Sequence, residues 1–82
     1  MKITLKLFSS LMEYLPGDAD SNSVIMDVPE STSPLDLIDR LGVPRNEAQV
    51  MMKNGEFCPV ELRSASLNEG DTVSVWPSIQ GG

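Results

Sequence analysis

The chain has 82 residues, enough for one compact domain but not two, and its 40% apolar and 22% charged residues are typical of a folded globular protein. Twelve acidic against six basic side chains give a net charge of -6, which disfavours binding to nucleic acid and suits a basic partner surface. Histidine is absent and Cys58 is the single cysteine, which excludes a disulfide framework, a Cys/His zinc site and an iron-sulfur cluster within one chain.

The beginning of the sequence does not have the pattern of a targeting segment. Lys6, Ser10 and Glu13 interrupt it, so the apolar core of a signal peptide is missing. No apolar run approaches the roughly 20 residues that a membrane-spanning helix needs. A single unpaired cysteine also fits a reducing compartment. The sequence therefore predicts a cytoplasmic protein without membrane contact.

A first strand is predicted over residues 2–8, where apolar and polar side chains alternate. The side chains expected to face the core are those of Ile3, Leu5 and Leu7. Phe8 is then expected on the opposite, outward face. Ser10 and Glu13 follow at the spacing of a capping box, which predicts a short helix that ends at Pro16-Gly17.

A second strand and the main helix are predicted in the next part of the chain. Residues 24–28 alternate again and are expected to pair with the first strand as a hairpin. Ser33-Pro34 has the pattern of an N-cap followed by proline at the first helical position, and Gly42 is typical of a helix C-terminus. The apolar face of this helix is expected to consist of Leu35, Ile38 and Leu41.

A second hairpin and a last strand complete the predicted sheet. Asn54-Gly55 between residues 49–53 and 56–60 is a strong hairpin signal, because both turn positions need positive φ. Pro59 makes the second arm an edge strand. Residues 72–76 alternate and form the last strand, with Val73 and Val75 facing inward.

This order of elements predicts an α+β fold in which one main helix packs on one face of a mixed sheet. The β-grasp, or ubiquitin-like, roll has this order, with its first hairpin and its last strand at the centre of the sheet. We assign residues 1–77 to this domain. Residues 78–82 are expected to form a flexible C-terminal tail that ends in Gly81-Gly82.

Several segments together resemble the MoaD/ThiS family of small sulfur-carrier proteins, and more closely its MoaD branch. They are Leu5-Lys6-Leu7-Phe8, Leu41-Gly42-Val43-Pro44, Asn54-Gly55, the L-x-x-G-D turn Leu67-Asn68-Glu69-Gly70-Asp71, Trp76-Pro77 and the terminal Gly81-Gly82. The resemblance spans nearly the whole chain. The sequence departs from the MoaD branch at two positions. Ser78 follows Pro77 where that branch commonly has a second proline, and Met12 lies in the first helix where a basic residue is often found.

The resemblance implies that the chain is not an enzyme but a co-substrate, or the small subunit of a synthase. An adenylating enzyme related to the ubiquitin-activating enzymes would use ATP to adenylate Gly82, and a sulfur donor would displace AMP to leave a C-terminal thiocarboxylate. Ile79, Gln80 and Gly81 would carry this group into the partner's site. The chain itself would bind no cofactor and no metal.

The resemblance leaves the sulfur acceptor open. In the first hypothesis the sulfur is used to make molybdopterin, for the biosynthesis of the molybdenum or tungsten cofactor. The partner is then the large subunit of molybdopterin synthase. A carrier for the thiazole of thiamine, with thiazole synthase as partner, is an alternative. A ubiquitin-like modifier joined through Gly82 to lysines of target proteins is another, and an interaction module with an incidental diglycine is the last.

A carrier of this kind needs an apolar docking patch beside its tail. Phe8 and Trp76 are expected on the outward faces of neighbouring strands, and Pro77 follows directly, so these residues are the predicted partner-binding site. Phe57 is a further candidate, but its face stays open between interface and core. Cys58 is interpreted as a buried small apolar residue rather than as a thiol relay.

Overall fold

A five-stranded mixed sheet with a helix on one face is formed by residues 1–78, the part of the chain that this computed structural model describes. The strands are β1 (Lys2–Leu7), β2 (Ser23–Asp27), β3 (Val50–Lys53), β4 (Glu56–Phe57) and β5 (Thr72–Trp76). The helices are α1 (Pro34–Leu41) and three 3-10 helices, Ser9–Tyr14, Arg45–Glu47 and Val60–Leu62. The predicted α+β, β-grasp fold is confirmed.

β5 lies at the middle of the sheet, whose strand order is β2-β1-β5-β3-β4. It pairs parallel with β1, where Leu5 lies opposite Val73, and antiparallel with β3, where Met51 lies opposite Val75. The expectation that both strands of the first hairpin occupy the centre is wrong for β2. Because β5 takes the second edge of β1, β2 is left as an edge strand, and its Ile25 is 67% exposed.

The core lies between the sheet and α1, as the alternation of side chains along the strands predicts. The fully buried isoleucine, leucine, valine and methionine side chains of the sheet and of the helices are those of Ile3, Leu5, Leu7, Leu11, Leu37, Ile38, Met51, Val73 and Val75. Burial of one such side chain stabilises the fold by about 1.5–3 kcal/mol. The inward positions predicted for β1 and β5 are confirmed.

α1 begins and ends at the predicted residues. The Ser33 hydroxyl accepts a hydrogen bond from the Asp36 amide (3.2 Å), and the Asp36 carboxylate accepts one from the Ser33 amide (2.9 Å), which is a complete capping box. Gly42 ends the helix with φ of 80°. The predicted apolar face is partly wrong, because Leu37 is fully buried while Leu35 is only half-buried. The i, i+3, i+4 pattern of a 3.6-residue turn centres the buried face on positions 34, 37 and 38.

The first short helix differs from its prediction in type and in capping. It is a 3-10 helix over Ser9–Tyr14 with Phe8 at its N-cap, and no side chain caps it. The Phe8 carbonyl accepts the first hydrogen bond, from the Leu11 amide, so Ser10 lies inside the helix. The expected capping box of Ser10 and Glu13 is therefore wrong.

The second hairpin has the predicted turn but a shorter second arm. Asn54 and Gly55 have φ of 53° and 85°, as a two-residue hairpin turn of this type requires. β4 is an edge strand, as predicted, but it contains only Glu56–Phe57. Pro59 has no backbone N–H to donate to a neighbouring strand, so the strand cannot continue through it. Pro59 instead occupies the N-cap position of the 3-10 helix that follows.

The Asp71 carboxylate connects this hairpin turn to the turn before β5. It accepts hydrogen bonds from the Asn54 side-chain amide (2.9 Å) and from the Asn68 backbone amide (2.8 Å), and the Asn54 oxygen in turn accepts from the Thr72 amide (2.8 Å). Burial alone raises the pKa of Asp71, but these hydrogen bonds and the charge of Lys53 outweigh it and lower the pKa below its usual range. The buried carboxylate is thus ionised and fully engaged at neutral pH.

No helix within residues 1–78 has the length and apolar character needed to cross a membrane. The expected boundary between domain and tail at residue 77 stays a prediction, because residues 79–82 lie outside the described part of the chain.

Replacing Asp71 by alanine is expected to lower the free energy of unfolding by about 1–3 kcal/mol at pH 7, because the Asn54 side-chain amide and the Asn68 backbone amide lose their charged acceptor. The folded pKa lies below the unfolded value of about 3.9, so the ionised group's contribution is complete above that pH and is lost as the pH falls through the folded pKa. Urea titrations at several pH values should therefore show the difference between wild type and D71A narrowing below about pH 4.

The exposed Asp18 provides a matched control, since D18A removes the same charge and should change stability by less than about 0.5 kcal/mol. A D71A protein that is as stable as D18A at pH 7 would contradict the role given to the Asp71 carboxylate.

Candidate partner-binding site

The face of the sheet opposite α1, called the outer face below, carries the side chains that alternate with the buried ones. Cross-strand pairs share a face, so the register assigns each residue to it. The strand residues of the outer face are Lys2, Thr4, Lys6, Ser23, Ile25, Asp27, Val50, Met52, Phe57, Thr72, Ser74 and Trp76.

Phe8 and Trp76 stack on each other at one end of the outer face. Their ring centroids are 4.4 Å apart and the ring planes differ by 7°. The Phe8 amide donates to the Val75 carbonyl (3.1 Å), which continues the parallel pairing past the end of β1 and brings Phe8 beside Trp76. Each ring covers part of the other, so both are half-buried. The two aromatic residues expected on neighbouring strands therefore form one contiguous surface.

Phe57, whose face the sequence left open, lies on the outer face. It pairs with Met52, which alternates with the fully buried Met51. Its side chain is 63% exposed, so it does not belong to the core. The predicted partner-binding residues Phe8, Trp76 and Phe57 thus share one face, with Phe57 on the edge strand β4.

The base of the predicted tail is fixed at the same end of the sheet. The Gln49 amide donates to the Trp76 carbonyl (3.1 Å), and Pro77 after it is half-buried. Ser78 is exposed and is the last described residue. Ile79, Gln80, Gly81 and Gly82 lie outside the described residues, so their roles stay predictions.

Arg63 supports this region and was not singled out in the sequence. Its buried guanidinium donates to the carbonyls of Cys58 (3.1 Å), Ala48 (3.1 Å) and Gln49 (3.0 Å). Since Gln49 also binds Trp76, Arg63 stabilises the segment that holds the last residue of β5. An arginine in a stretch without periodicity gives no sign of burial, although irregular buried backbone does need donors for its carbonyl groups.

Two side-chain pairs link helices at the surface. The Tyr14 hydroxyl donates to the Glu47 carboxylate (3.1 Å), which connects the 3-10 helices Ser9–Tyr14 and Arg45–Glu47. Partial burial of the phenol, followed by this hydrogen bond and the carboxylate charges nearby, raises the pKa of Tyr14. Arg45 donates two hydrogen bonds to Asp39 (3.2 and 2.7 Å), which lower the pKa of that carboxyl group.

Cys58 is buried, as the sequence analysis expected, with 6% of its surface exposed. Its thiol makes only a weak contact to the Pro59 carbonyl at 3.9 Å. It lines a cavity of about 210 Å³ beside Pro34 and Leu62. Within residues 1–78, no three His, Cys, Asp or Glu side chains converge as a metal site would require.

Comparison with known proteins identifies the kind of domain that carries this surface. A sequence model of the family described as Mut7-C ubiquitin matches residues 1–81. No curated protein matches the chain significantly.

Three solved structures have the same fold over nearly their whole length. SAMP1 from Haloferax volcanii is 26% identical with a TM-score of 0.66, and 100% of each chain is covered. A second structure of the H. volcanii small archaeal modifier protein 1 is 25% identical with a TM-score of 0.65, covering 95% of this chain and 98% of that one.

A putative molybdopterin converting factor, subunit 1, from Pyrococcus furiosus is 21% identical with a TM-score of 0.66, covering 95% of this chain and 98% of that one. The resemblance to small ubiquitin-like proteins that the sequence predicted is confirmed. The chain belongs to the Mut7-C ubiquitin family.

Proposed function

We propose that this chain is a sulfur carrier whose Gly82 carboxylate is adenylated and then converted to a thiocarboxylate for molybdopterin biosynthesis. The supporting observation is the stacked pair of Phe8 and Trp76, which lies on an open sheet face directly before the tail. A partner that docks on this pair takes up the residues that follow Trp76. The chain then acts as a carrier or a synthase subunit, and the partners supply the catalytic groups.

The chemistry follows from the weakness of a carboxylate as an electrophile. In the adenylating enzyme a Gly82 oxygen attacks the α-phosphorus of ATP, and pyrophosphate leaves. Sulfide then attacks the acyl carbon and expels AMP, so the carbon-oxygen bond to phosphate is replaced by a carbon-sulfur bond and the thiocarboxylate forms directly. A persulfide donor instead gives an acyl disulfide on expelling AMP, and a second thiol then attacks the donor-side sulfur, which releases the thiocarboxylate and leaves a disulfide on the donor. ATP is consumed in the partner, and this chain contributes the carboxylate. The cytoplasm is the proposed compartment.

The residues of the tail suit delivery into a narrow site. Five residues from Ser78 to Gly82 span roughly 17 Å when fully extended, enough to reach from the outer face into a buried site of a partner. Gly81 and Gly82 have no Cβ atoms that would block a channel. Ile79 and Gln80 provide the side chains by which a partner could position the tail.

The acceptor in this proposal is molybdopterin, and the partner is the large subunit of molybdopterin synthase. The name of the P. furiosus relative, a putative molybdopterin converting factor subunit, supports this choice. A second candidate is a protein modifier joined through Gly82 to lysine side chains, which the 26% identity to a small archaeal modifier protein favours. A thiazole carrier remains the alternative within sulfur transfer.

Incubating the chain with its adenylating enzyme, ATP and a sulfur donor should add to its intact mass the difference between one sulfur and one oxygen atom. Intact-mass spectrometry checks this directly, and fragmentation should place the change on Gly82. Covalent conjugates to other proteins, without the mass change, would support the modifier instead.

Deleting Gly82 is the matched control, because it shortens the tail while leaving residues 1–78 unchanged. The shortened chain should fold with unchanged thermal stability and gain no mass. An unmodified wild-type chain in the presence of a competent adenylating enzyme would contradict the carrier function.

Replacing Trp76 by alanine should weaken binding of the adenylating enzyme about 30-fold, as removal of a central aromatic anchor does at interfaces. Stability should fall by only about 1–2 kcal/mol, because the half-buried ring loses its stacking with Phe8 and some apolar contact. Isothermal titration calorimetry and thermal melts measure the two effects.

Ile25→Ala is the control for this change, because Ile25 is 67% exposed on the same outer face but lies on the β2 edge. I25A should bind like the wild type. Equal affinities of W76A and wild type, or a stability loss far above that range, would show that Trp76 serves the fold rather than the partner.

A further inference from the structure

The outer face has a charge opposite in sign to that of the whole chain. Its strand residues include two cations, Lys2 and Lys6, and one anion, Asp27. The chain as a whole carries a net charge of -6. The other acidic residue within a strand, Glu56, pairs with Lys53 on the opposite face, so the strand positions of the outer face carry one net positive charge.

Within residues 1–78, one of these two lysines, Lys2, has an ion-pair partner at the end of its side chain. The Lys2 ammonium lies 3.6 Å from the Asp27 carboxylate, which also faces the N-terminal amine at 3.8 Å. Lys6 forms no ion pair within residues 1–78, and its side chain is half-buried. Its strand neighbours across the sheet are Ser23 and Ser74, which carry no charge.

Lys6 lies inside the area that a docked partner must cover. The register aligns Lys6, Ser74, Met52 and Phe57 in one row across four strands, a distance of roughly 14 Å at about 4.8 Å per strand. Phe8 follows two residues after Lys6, just past the end of β1, and lies on the same face beside Trp76. A standard interface of about 800 Å² per partner therefore reaches from the aromatic pair to Phe57 and includes Lys6.

Covering an ammonium group without a counter-charge is costly, because burial removes its water while nothing replaces the lost solvation. We infer that the adenylating partner presents a carboxylate to Lys6, so that an acidic and apolar patch receives the Lys6, Phe8 and Trp76 side chains. The inference rests on the proposed function, because it concerns the partner of the same surface. The partner's patch is then acidic, whereas the net charge of this chain alone predicts a basic one.

The two possibilities predict effects of opposite sign, which makes the charge reversal K6E decisive. If the facing patch is basic, as the net charge suggests, a glutamate at position 6 would tighten binding. If it is acidic, K6E places like charges opposite each other and should raise the Kd about tenfold or more. K6Q, which removes the charge without reversing it, should give a smaller increase.

The measurement is isothermal titration calorimetry of the full chain with the adenylating enzyme that converts Gly82, in the absence of ATP. R40E is the matched control, since it makes the same change in net charge on the exposed side of α1 and should alter the Kd less than about twofold. The difference between wild type and K6E should shrink as salt is raised from about 0.05 to 0.5 M.

Thermal melts establish that each variant is folded, and K6Q provides the comparison if the reversal lowers stability. Unchanged or tighter binding by K6E, or equal losses in K6E and R40E, would overturn the assignment. Binding is measured without ATP, so a failure of the Gly82 chemistry would leave the difference between the variants measurable. Conversely, a failure at Lys6 would leave conversion of the wild-type chain unaffected.

Discussion

The hydrogen bonds of the Asp71 carboxylate fix how β5 enters the sheet, and both faces of the molecule follow from that register. Asp71 binds the Asn54 side chain of the hairpin turn, and Asn54 binds the Thr72 amide at the start of β5. A slip by one residue would turn every β5 side chain to the other face. Exposing Val73 and Val75 in this way would cost about 3–6 kcal/mol, which is comparable to the whole stability of a domain this small.

The proposed docking surface depends on the same constraint as the core. With Val75 directed inward, Trp76 must face outward, where the continued pairing of Phe8 with β5 brings the two rings together. Arg63 also stabilises this arrangement. It donates a hydrogen bond to the Gln49 carbonyl, and the Gln49 amide donates to the Trp76 carbonyl. The last residue of β5 is therefore hydrogen-bonded within the sheet, and its aromatic side chain lies immediately before the residues proposed to react.

The sequence predicted those features that depend on short-range patterns. The alternation in β1 and β5, the capped start of α1 and the Asn54-Gly55 turn involve residues close together in the chain, and each has a distinct side-chain preference. The face of Phe57 was left open because it depends on the register of a two-residue edge strand. The burial of Arg63 could not be predicted, because two of its three acceptors, the carbonyls of Ala48 and Gln49, lie 15 and 14 residues earlier in the chain. The short helix after β1 was assigned the wrong cap because Phe8 continues the strand pairing.

The parallel pairing of β1 with β5 joins the beginning of the described chain to its end, where Thr4 lies opposite Thr72. Such distant pairings form slowly, because most of the chain must be ordered before they contribute. Phe8 and Trp76 are consequently brought together only when β1 and β5 pair. An activating enzyme that requires this stacked pair would distinguish folded chains from nascent or damaged ones, and ATP would be spent only on carriers that are complete.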